Sequence, residues 1–217
     1  LMQIGLAVVN YESAYGMYPP AFIASEDGTP MHSWRVLILP FMNQSELHAK
    51  YDFSQSWNSE TNSRLAKEMP TTNAFTGDYD SDLVYTNYVA VLGEDTFWPG
   101  SNSRMVDELT DEPSSTIAII ENINGKVHWM EPRDLVLDTM SFELNQPNGL
   151  GSKYEDPAVL MADFFVRKVH RRMPEKLFRA LLTVNGQEPV DTSTKYWKLL
   201  SDGRLRAERD PEPGNQN

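Results

Sequence analysis

The first fifteen residues carry apolar side chains at helical spacing. Successive members of the apolar stripe are three or four residues apart, as on one face of an amphipathic helix. The stripe consists of Leu1, Ile4, Val8, Tyr11 and Tyr15. Gly16 can adopt the left-handed conformation that ends a helix, and Pro19-Pro20 cannot continue one. The stripe is present from the first residue, so we expect the helix to continue upstream of Leu1.

Short apolar runs follow, and the first of them is ambiguous. Residues 34–39 fit either a strand or a short helix, and Pro40 is expected to end that element. Residues 45–51, 62–67 and 175–182 show helical spacing, which predicts three further short helices.

The second half of the chain is dominated by β-branched and aromatic runs bounded by turn residues. These runs are residues 84–92, 116–120, 127–130, 158–162 and 164–166. Asn124-Gly125 separates two of them and predicts a β-hairpin. A helix followed by a series of hairpin-like strands indicates an α+β fold, with the N-terminal helix on an antiparallel sheet and with short helices and long loops. We expect a single domain over residues 1–210 and a frayed tail over residues 211–217.

Composition narrows the functional classes. The chain has 217 residues and a formal net charge of −12, which argues against a nucleic-acid partner because phosphate binding needs a basic surface. It contains no cysteine, which removes disulfides, thiolate metal sites and cysteine nucleophiles. No stretch reaches the run of about 18 apolar residues that a membrane span needs, so a membrane role is expected only through a helix upstream of Leu1.

Motifs for catalysis are not found. The four histidines lie far apart in sequence, and neither the H-E-x-x-H zinc motif nor the G-x-S-x-G nucleophile motif occurs. Gly149-Leu150-Gly151 lacks the third glycine of a dinucleotide-binding loop, so it is interpreted as a turn. We therefore predict a protein without enzymatic activity, catalytic residues or cofactor.

Two segments combine aromatic and polar groups that could line a carbohydrate or peptide groove. The candidate ligand-binding residues are His32, Trp34, Arg35, His128, Trp129, Glu131 and Arg133, and Trp57 and Trp98 could extend the groove. The alternative for the second segment is a strand end, where Arg133 pairs with Glu131 and Asp134 and where Trp129 belongs to the core.

Charge is distributed unevenly. Asp78, Asp80 and Asp82 alternate as carboxylates do in calcium loops, but the sixth and twelfth positions of an EF-hand are not matched, so a looser calcium site and a solvated turn both stay open. Residues 77–112 are mostly acidic and residues 164–209 mostly basic. These stretches form either two solvated faces or a head-to-tail contact between subunits.

Several motifs in the first 170 residues resemble a family seen mainly in planctomycete bacteria, catalogued as domain of unknown function 1559 and sometimes labelled solute-binding. The segments that carry the resemblance are Gln3–Ala7, Asn10-Tyr11, Gly16–Pro20, His32–Pro40, Tyr51–Phe53, Thr86–Gly93, Ser115–Ile117 with Glu121, and His128–Leu135. Members resemble type IV pilins and type II secretion pseudopilins, with a prepilin-type leader and a long N-terminal helix. The resemblance attributes no catalytic residue to this chain.

The chain departs from the family pattern at two places. Thr71-Thr72 stands where members have a Cys-Pro pair after Met69-Pro70. The C-terminal signature keeps an apolar strand and Asp163 but lacks the histidine and the glycines, so that Phe164 follows this aspartate.

The resemblance implies a surface-exposed, extracytoplasmic pilin-like or pseudopilin-like assembly protein. Its partners would be copies of itself or other pilin-like subunits, contacted through the N-terminal helix. The alternative is an extracytoplasmic domain that binds carbohydrate or peptide.

Overall fold

The computed structural model describes residues 1–74 and 84–187. Three features considered in the sequence lie outside these ranges: the acidic turn at Asp78, Asp80 and Asp82, the end of the expected domain at residue 210, and the expected tail at residues 211–217.

Helices and strands follow the order expected for an α+β fold, with the longest helix first. The α-helices are α1 (Met2–Tyr15), α2 (Trp34–Leu37), α3 (Ser45–Lys50), α4 (Glu60–Ser63) and α5 (Glu175–Leu182). The strands are β1 (Phe22–Ala24), β2 (Pro30–Ser33), β3 (Tyr85–Thr86), β4 (Tyr88–Val89), β5 (Val91–Leu92), β6 (Ile117–Glu121), β7 (Val127–His128), β8 (Leu135–Val136), β9 (Ala158–Met161) and β10 (Val166–Lys168).

The main sheet has the strand order β10-β9-β6-β4, and every neighbouring pair in it is antiparallel. The described residues also form three two-stranded pairs: β1 with β2 and β3 with β7 are antiparallel, whereas β5 with β8 is parallel. β6 is one of the two inner strands of this sheet, and all five of its residues are buried.

Helix α1 packs on this sheet and confirms the predicted N-terminal helix. Ile4, Ala7 and Val8 belong to the same buried cluster as Ile119 of β6 and Leu160 of β9. Gly5 lets the helix approach closely, because a Cβ at this position would lie 3.0 Å from both δ carbons of Leu160.

The end of α1 also agrees with the sequence. Gly16 has a φ of 75°, and its N–H donates to the carbonyl of Glu12 at 2.7 Å. This is the left-handed cap that glycine adopts without steric cost.

The run at residues 34–39 forms no strand: Trp34–Leu37 is the short helix α2, and Leu39 begins a 3₁₀ helix. The Ser33 hydroxyl accepts a hydrogen bond from the Arg35 N–H at 3.2 Å and caps α2. The expectation that Pro40 ends the element is wrong, because Pro40 lies in the first turn of a 3₁₀ helix at Leu39–Met42, where no donor N–H is needed. That helix ends instead at Asn43, which has a φ of 58°.

The predicted hairpin at Asn124-Gly125 is wrong. β6 pairs with β4 and β9, while β7 pairs with β3 in another sheet. A two-residue hairpin of this type needs a positive φ at both central residues, but the positive φ occurs at Lys126 and not at Asn124 or Gly125.

The buried Asn122 side chain explains this change of direction. It accepts from the Gly125 N–H at 2.7 Å and donates to the carbonyls of Pro147 at 3.0 Å and Gly149 at 2.6 Å. These bonds tie the turn to the loop at 147–149 and turn the chain away from β6.

The predicted run at residues 84–92 is divided into β3, β4 and β5, and each pairs with a different strand. Thr86 contributes to the first break, because its hydroxyl accepts the Tyr88 N–H at 3.1 Å and donates to the Asn73 carbonyl at 3.0 Å.

The predicted run at residues 158–162 corresponds to β9, but the run at 164–166 lies mostly in the turn before β10, which pairs with β9. A tight turn follows Asp163 despite the missing glycine. Phe164 takes the left-handed conformation, with a φ of 62°. The Asp163 carboxylate accepts the Phe165 N–H at 3.1 Å and forms an ion pair with Arg167 at 2.6 Å. These side-chain bonds hold a turn that usually depends on glycine.

Candidate functional site

The seven candidate ligand-binding residues divide into a buried and a surface group. His32, Trp34, Arg35 and Trp129 are buried, with exposed fractions between 0% and 3%. His128 and Glu131 are half-buried, and Arg133 is exposed. The structure therefore does not gather the seven residues on one surface.

Arg35 and Asp134 form a buried ion pair at the centre of the first group. The side chains of Arg35 and Asp134 are 0% and 2% exposed. The Asp134 carboxylate also accepts hydrogen bonds from the Ala90 N–H at 2.7 Å and from the Trp34 indole N–H at 3.2 Å. Arg35 donates to the Tyr88 carbonyl from Nε at 3.2 Å and from Nη2 at 3.1 Å.

The charges of Arg35 and Asp134 are compensated inside the core and are not available to a ligand. Burial raises the pKa of Asp134 and lowers the pKa of Arg35, and the attraction between the two charges opposes both shifts. Each charge is neutralised and hydrogen-bonded inside the protein, as buried ions require. The pair therefore ties α2 to the segment before β8 and to the strands at residues 88–90.

The indole rings of the predicted groove are mostly core residues. Trp34 lies against Trp98 with ring centroids 5.0 Å apart, and Trp98 is 1% exposed. Trp129 is 0% exposed, and its indole N–H donates to the Ala66 carbonyl at 2.9 Å. These three rings do not present a face to a ligand.

His32 lies in an aromatic cluster under the surface. Its Nδ1 is 3.0 Å from the Tyr51 hydroxyl, and its ring centroid is 5.2 Å from that of Phe53. Burial lowers the pKa of His32 and raises the pKa of Tyr51. At neutral pH His32 is therefore neutral and forms a hydrogen bond with the protonated Tyr51 hydroxyl.

The surface group lies at the short sheet formed by β3 and β7. Tyr85 and His128 are paired across these strands, so their side chains share one face of the sheet. The Trp57 ring lies 5.2 Å from the His128 ring at an angle of 40°. Tyr85 is 44% exposed, and Trp57 is half-buried against the cluster that contains Trp129. We call Trp57, Tyr85 and His128 the aromatic platform.

Charged side chains border the aromatic platform. The Glu131 carboxylate accepts from Arg133 Nε at 2.8 Å and from the His128 backbone N–H at 3.3 Å. Burial lowers the pKa of His128, and the Glu131 carboxylate opposes this shift. The alternative interpretation of this segment as a strand end agrees in part: Arg133 pairs with Glu131, whereas Asp134 pairs with Arg35.

Sequence reasoning missed Tyr85, because nothing in the strand pattern of residues 84–92 shows which aromatic side chain faces His128. It also missed a buried carboxyl at the end of β6. Glu121 accepts from the Ser152 hydroxyl at 2.7 Å and from the Ala158 N–H at 2.8 Å. Burial raises its pKa, and burial also raises the pKa of the neighbouring Tyr88 to about 12.

Within residues 1–74 and 84–187, no group of three or more His, Asp or Glu side chains is arranged to hold a metal ion. In the same ranges, no helix combines the length and the apolar character needed to cross a membrane.

Comparison with known proteins gives a match to a family profile. No curated protein and no solved structure is significantly similar to the chain. A family profile with the short name SBP_bac_10, described as "Protein of unknown function (DUF1559)", matches residues 1–116. This match covers more than half of the chain and includes α1, the buried Trp34-Arg35 pair and the strands β3 to β5. The chain therefore belongs to the family of proteins of unknown function DUF1559.

Proposed function

We propose that this chain is a non-enzymatic, pilin-like assembly protein that acts outside the cytoplasm. In this proposal, α1 joins the head to other pilin-like subunits, while the sheet and its surrounding loops form the head.

The observation that carries the proposal is that α1 is apolar on two opposite faces. One face, with Ile4 and Val8, is buried against the main sheet. The other exposes Met2 and Leu6, which are 58% and 59% exposed and lie one turn apart. Val9, half-buried, continues the outward row at a spacing of three residues. We call Met2, Leu6 and Val9 the α1 stripe.

A second copy of such a helix fits the α1 stripe. Rows of side chains at spacings of three and four residues are the ridges that pack into the grooves of a neighbouring helix. Burial of one Leu or Met side chain contributes about 1.5–3 kcal/mol. Glu12 is the one charged residue in α1, so two stripes could pack without burying an unpaired charge. The resemblance of the family to pilins points to the same partner.

The test exploits the absence of cysteine from the chain. Leu6→Cys, labelled with a benzophenone maleimide, should cross-link on irradiation of the concentrated protein to α1 of a second copy, and mass spectrometry would identify the linked peptide. The matched control is Val136→Cys on β8, an apolar position that is 44% exposed. Equal cross-linking from both positions, or none from Leu6→Cys, would refute assembly through α1.

The alternative function, extracytoplasmic binding of carbohydrate or peptide, is favoured by the solute-binding label of the family. Of its predicted residues, those on the surface are His128, Glu131 and Arg133. Trp34 and Trp129 cannot serve it directly because both are 0% exposed.

A further inference from the structure

We propose that the aromatic platform (Trp57, Tyr85 and His128), together with Glu131 and Arg133, is a binding site for a neutral polysaccharide chain. The proposed site is formed by β3, β7 and the loop that contains Trp57. It is separate from the α1 stripe and shares no residue with it.

The platform offers flat aromatic faces in a fixed arrangement. Tyr85 and His128 are held side by side by the pairing of β3 with β7, and the Trp57 ring lies against His128 at 5.2 Å. Trp57 is further fixed by its backbone N–H, which donates to the Met31 carbonyl at 3.1 Å. Rigid aromatic rings with one apolar face and one polar tip suit the C–H face of a sugar ring, and little conformational entropy is lost on binding.

The Glu131 carboxylate lies beside His128, whose backbone N–H it accepts at 3.3 Å, and Arg133 is held next to it, so that planar polar groups are available for sugar hydroxyls. Arg133 is 48% exposed, and Glu131 holds its Nε at 2.8 Å. Its Nη1 and Nη2 donate to the carbonyls of Gly125 at 3.3 Å and Lys126 at 2.9 Å. A guanidinium has five N–H groups, so two of them are left to donate to ligand hydroxyls. The Glu131 carboxylate can accept from hydroxyl groups on its side.

Charge and hydrogen-bonding chemistry select a neutral sugar polymer over two other ligands. The chain carries a net charge of −12, which disfavours an anionic polysaccharide, and the Glu131 carboxylate neutralises the Arg133 charge that would attract one. A proline-rich peptide would also stack on aromatic rings, but proline has no backbone N–H to donate to Glu131. Sugar hydroxyls both donate and accept, which matches Glu131 and Arg133 together.

The experiment measures binding of cellohexaose, xylohexaose and chitohexaose to the 217-residue protein by isothermal titration calorimetry. We expect at least one of them to bind, and we expect Trp57→Ala and Tyr85→Ala each to weaken that binding by about tenfold or more. Tyr154→Ala is the matched control, because Tyr154 is a tyrosine with 52% exposure outside the platform. It should leave binding unchanged.

Folding of each variant is checked by thermal melting, because Trp57 also packs against the core. Tyr85→Ala removes an exposed ring, and Glu131→Gln keeps the size of the side chain while removing its charge, so these two variants test the site if Trp57→Ala unfolds. Glu131→Gln should weaken binding severalfold.

The proposal is overturned if none of the three oligosaccharides binds, or if folded Tyr85→Ala and Glu131→Gln bind as well as the wild type. It is also overturned if decaproline or polygalacturonate binds at the platform while the neutral sugars do not. None of these results bears on cross-linking from Leu6, since the platform and the α1 stripe share no residue.

Discussion

Arg35 and Asp134 are 99 positions apart in the sequence and form one ion pair in the core. The sequence placed Arg35 beside Trp34 in a binding segment and Asp134 beside Arg133 in another. A buried guanidinium has to find an anion and carbonyl acceptors within the protein, because loss of its hydration costs several kcal/mol. At the scale of single residues, the need to compensate a buried charge makes Arg35 a structural residue rather than a ligand-binding one.

Breaking this pair should be strongly destabilising. We expect Asp134→Ala to lower the free energy of unfolding by about 3–5 kcal/mol, because it leaves a buried Arg35 charge and removes the acceptor for the Trp34 indole. The double variant Arg35→Met with Asp134→Ala should cost less than the sum of Arg35→Met and Asp134→Ala, because no unpaired charge is left buried. Urea denaturation followed by tryptophan fluorescence measures all four proteins.

An exposed ion pair serves as the control. Lys50 and Glu68 are joined at 2.7 Å, but their side chains are 54% and 44% exposed. Glu68→Ala should cost less than about 1 kcal/mol, because solvent already screens that interaction. A similar loss at Asp134 and Glu68 would contradict the structural role of the buried pair.

At the scale of elements, two of the signals that act within a few residues were confirmed. The cap at Gly16 and the helical spacing at residues 175–182 correspond to the end of α1 and to α5. These signals depend on backbone conformation and on which side chains share a face, and neither requires a distant partner. The hairpin signal at Asn124-Gly125 failed because its outcome depended on Asn122, whose side chain bonds to residues 147 and 149.

The contact between α1 and the sheet gives a prediction about Gly5. We expect Gly5→Val to lower the free energy of unfolding by about 2 kcal/mol or more, because its Cβ would lie 3.0 Å from both δ carbons of the fully buried Leu160. The double variant Gly5→Val with Leu160→Ala should lose less unfolding free energy than the sum of the two single variants, because the valine fills space that the leucine vacates. Chemical denaturation of the wild type, the two single variants and the double variant measures the coupling between the two positions.

Ser13→Ala is the control for changes in helix propensity, since Ser13 is exposed in the same helix. It should alter stability by a few tenths of a kcal/mol at most. Additive effects of Gly5→Val and Leu160→Ala would mean that the two residues are not in the contact that the structure describes.

At the scale of the whole molecule, the net charge of −12 acts on any contact between copies. The α1 stripe carries no charge, so mutual repulsion of the subunits is the main electrostatic term when two copies meet through it. In a head-to-tail contact between the acidic and basic stretches, by contrast, the main electrostatic term would be attraction between opposite charges.

Salt separates these two modes of assembly. We expect self-association of the chain to strengthen when NaCl is raised from about 0.02 M to about 0.5 M, because the Debye length falls to a few ångströms and the repulsion is screened. Sedimentation velocity over a concentration series measures the change. Leu6→Lys should remove the association at both salt concentrations, whereas Val136→Lys should retain it.

A weaker association at high salt would favour the acidic-to-basic contact and count against the α1 stripe. Association that persists in Leu6→Lys would also count against the α1 stripe, at either salt concentration.

By itself, the sequence determined the α+β class, the end of the longest helix at Gly16 and the apolar character of the strands. These properties follow from local conformational preference and from the need to bury apolar surface, which the order of side chains already encodes. It also identified the family through motifs in the first part of the chain, and a family match over residues 1–116 agrees with that resemblance.

Tertiary structure alone decided which candidate residues belong to the core and which face solvent. Trp34 and Trp57 look alike in the sequence, yet one is enclosed by Trp98 and the Arg35–Asp134 pair while the other lies at the surface beside His128. Burial depends on elements far apart in the chain, and so does the pairing of Tyr85 with His128, 43 positions away. Local spacing contains no information on such partners, because they meet only when the strands have found their registers.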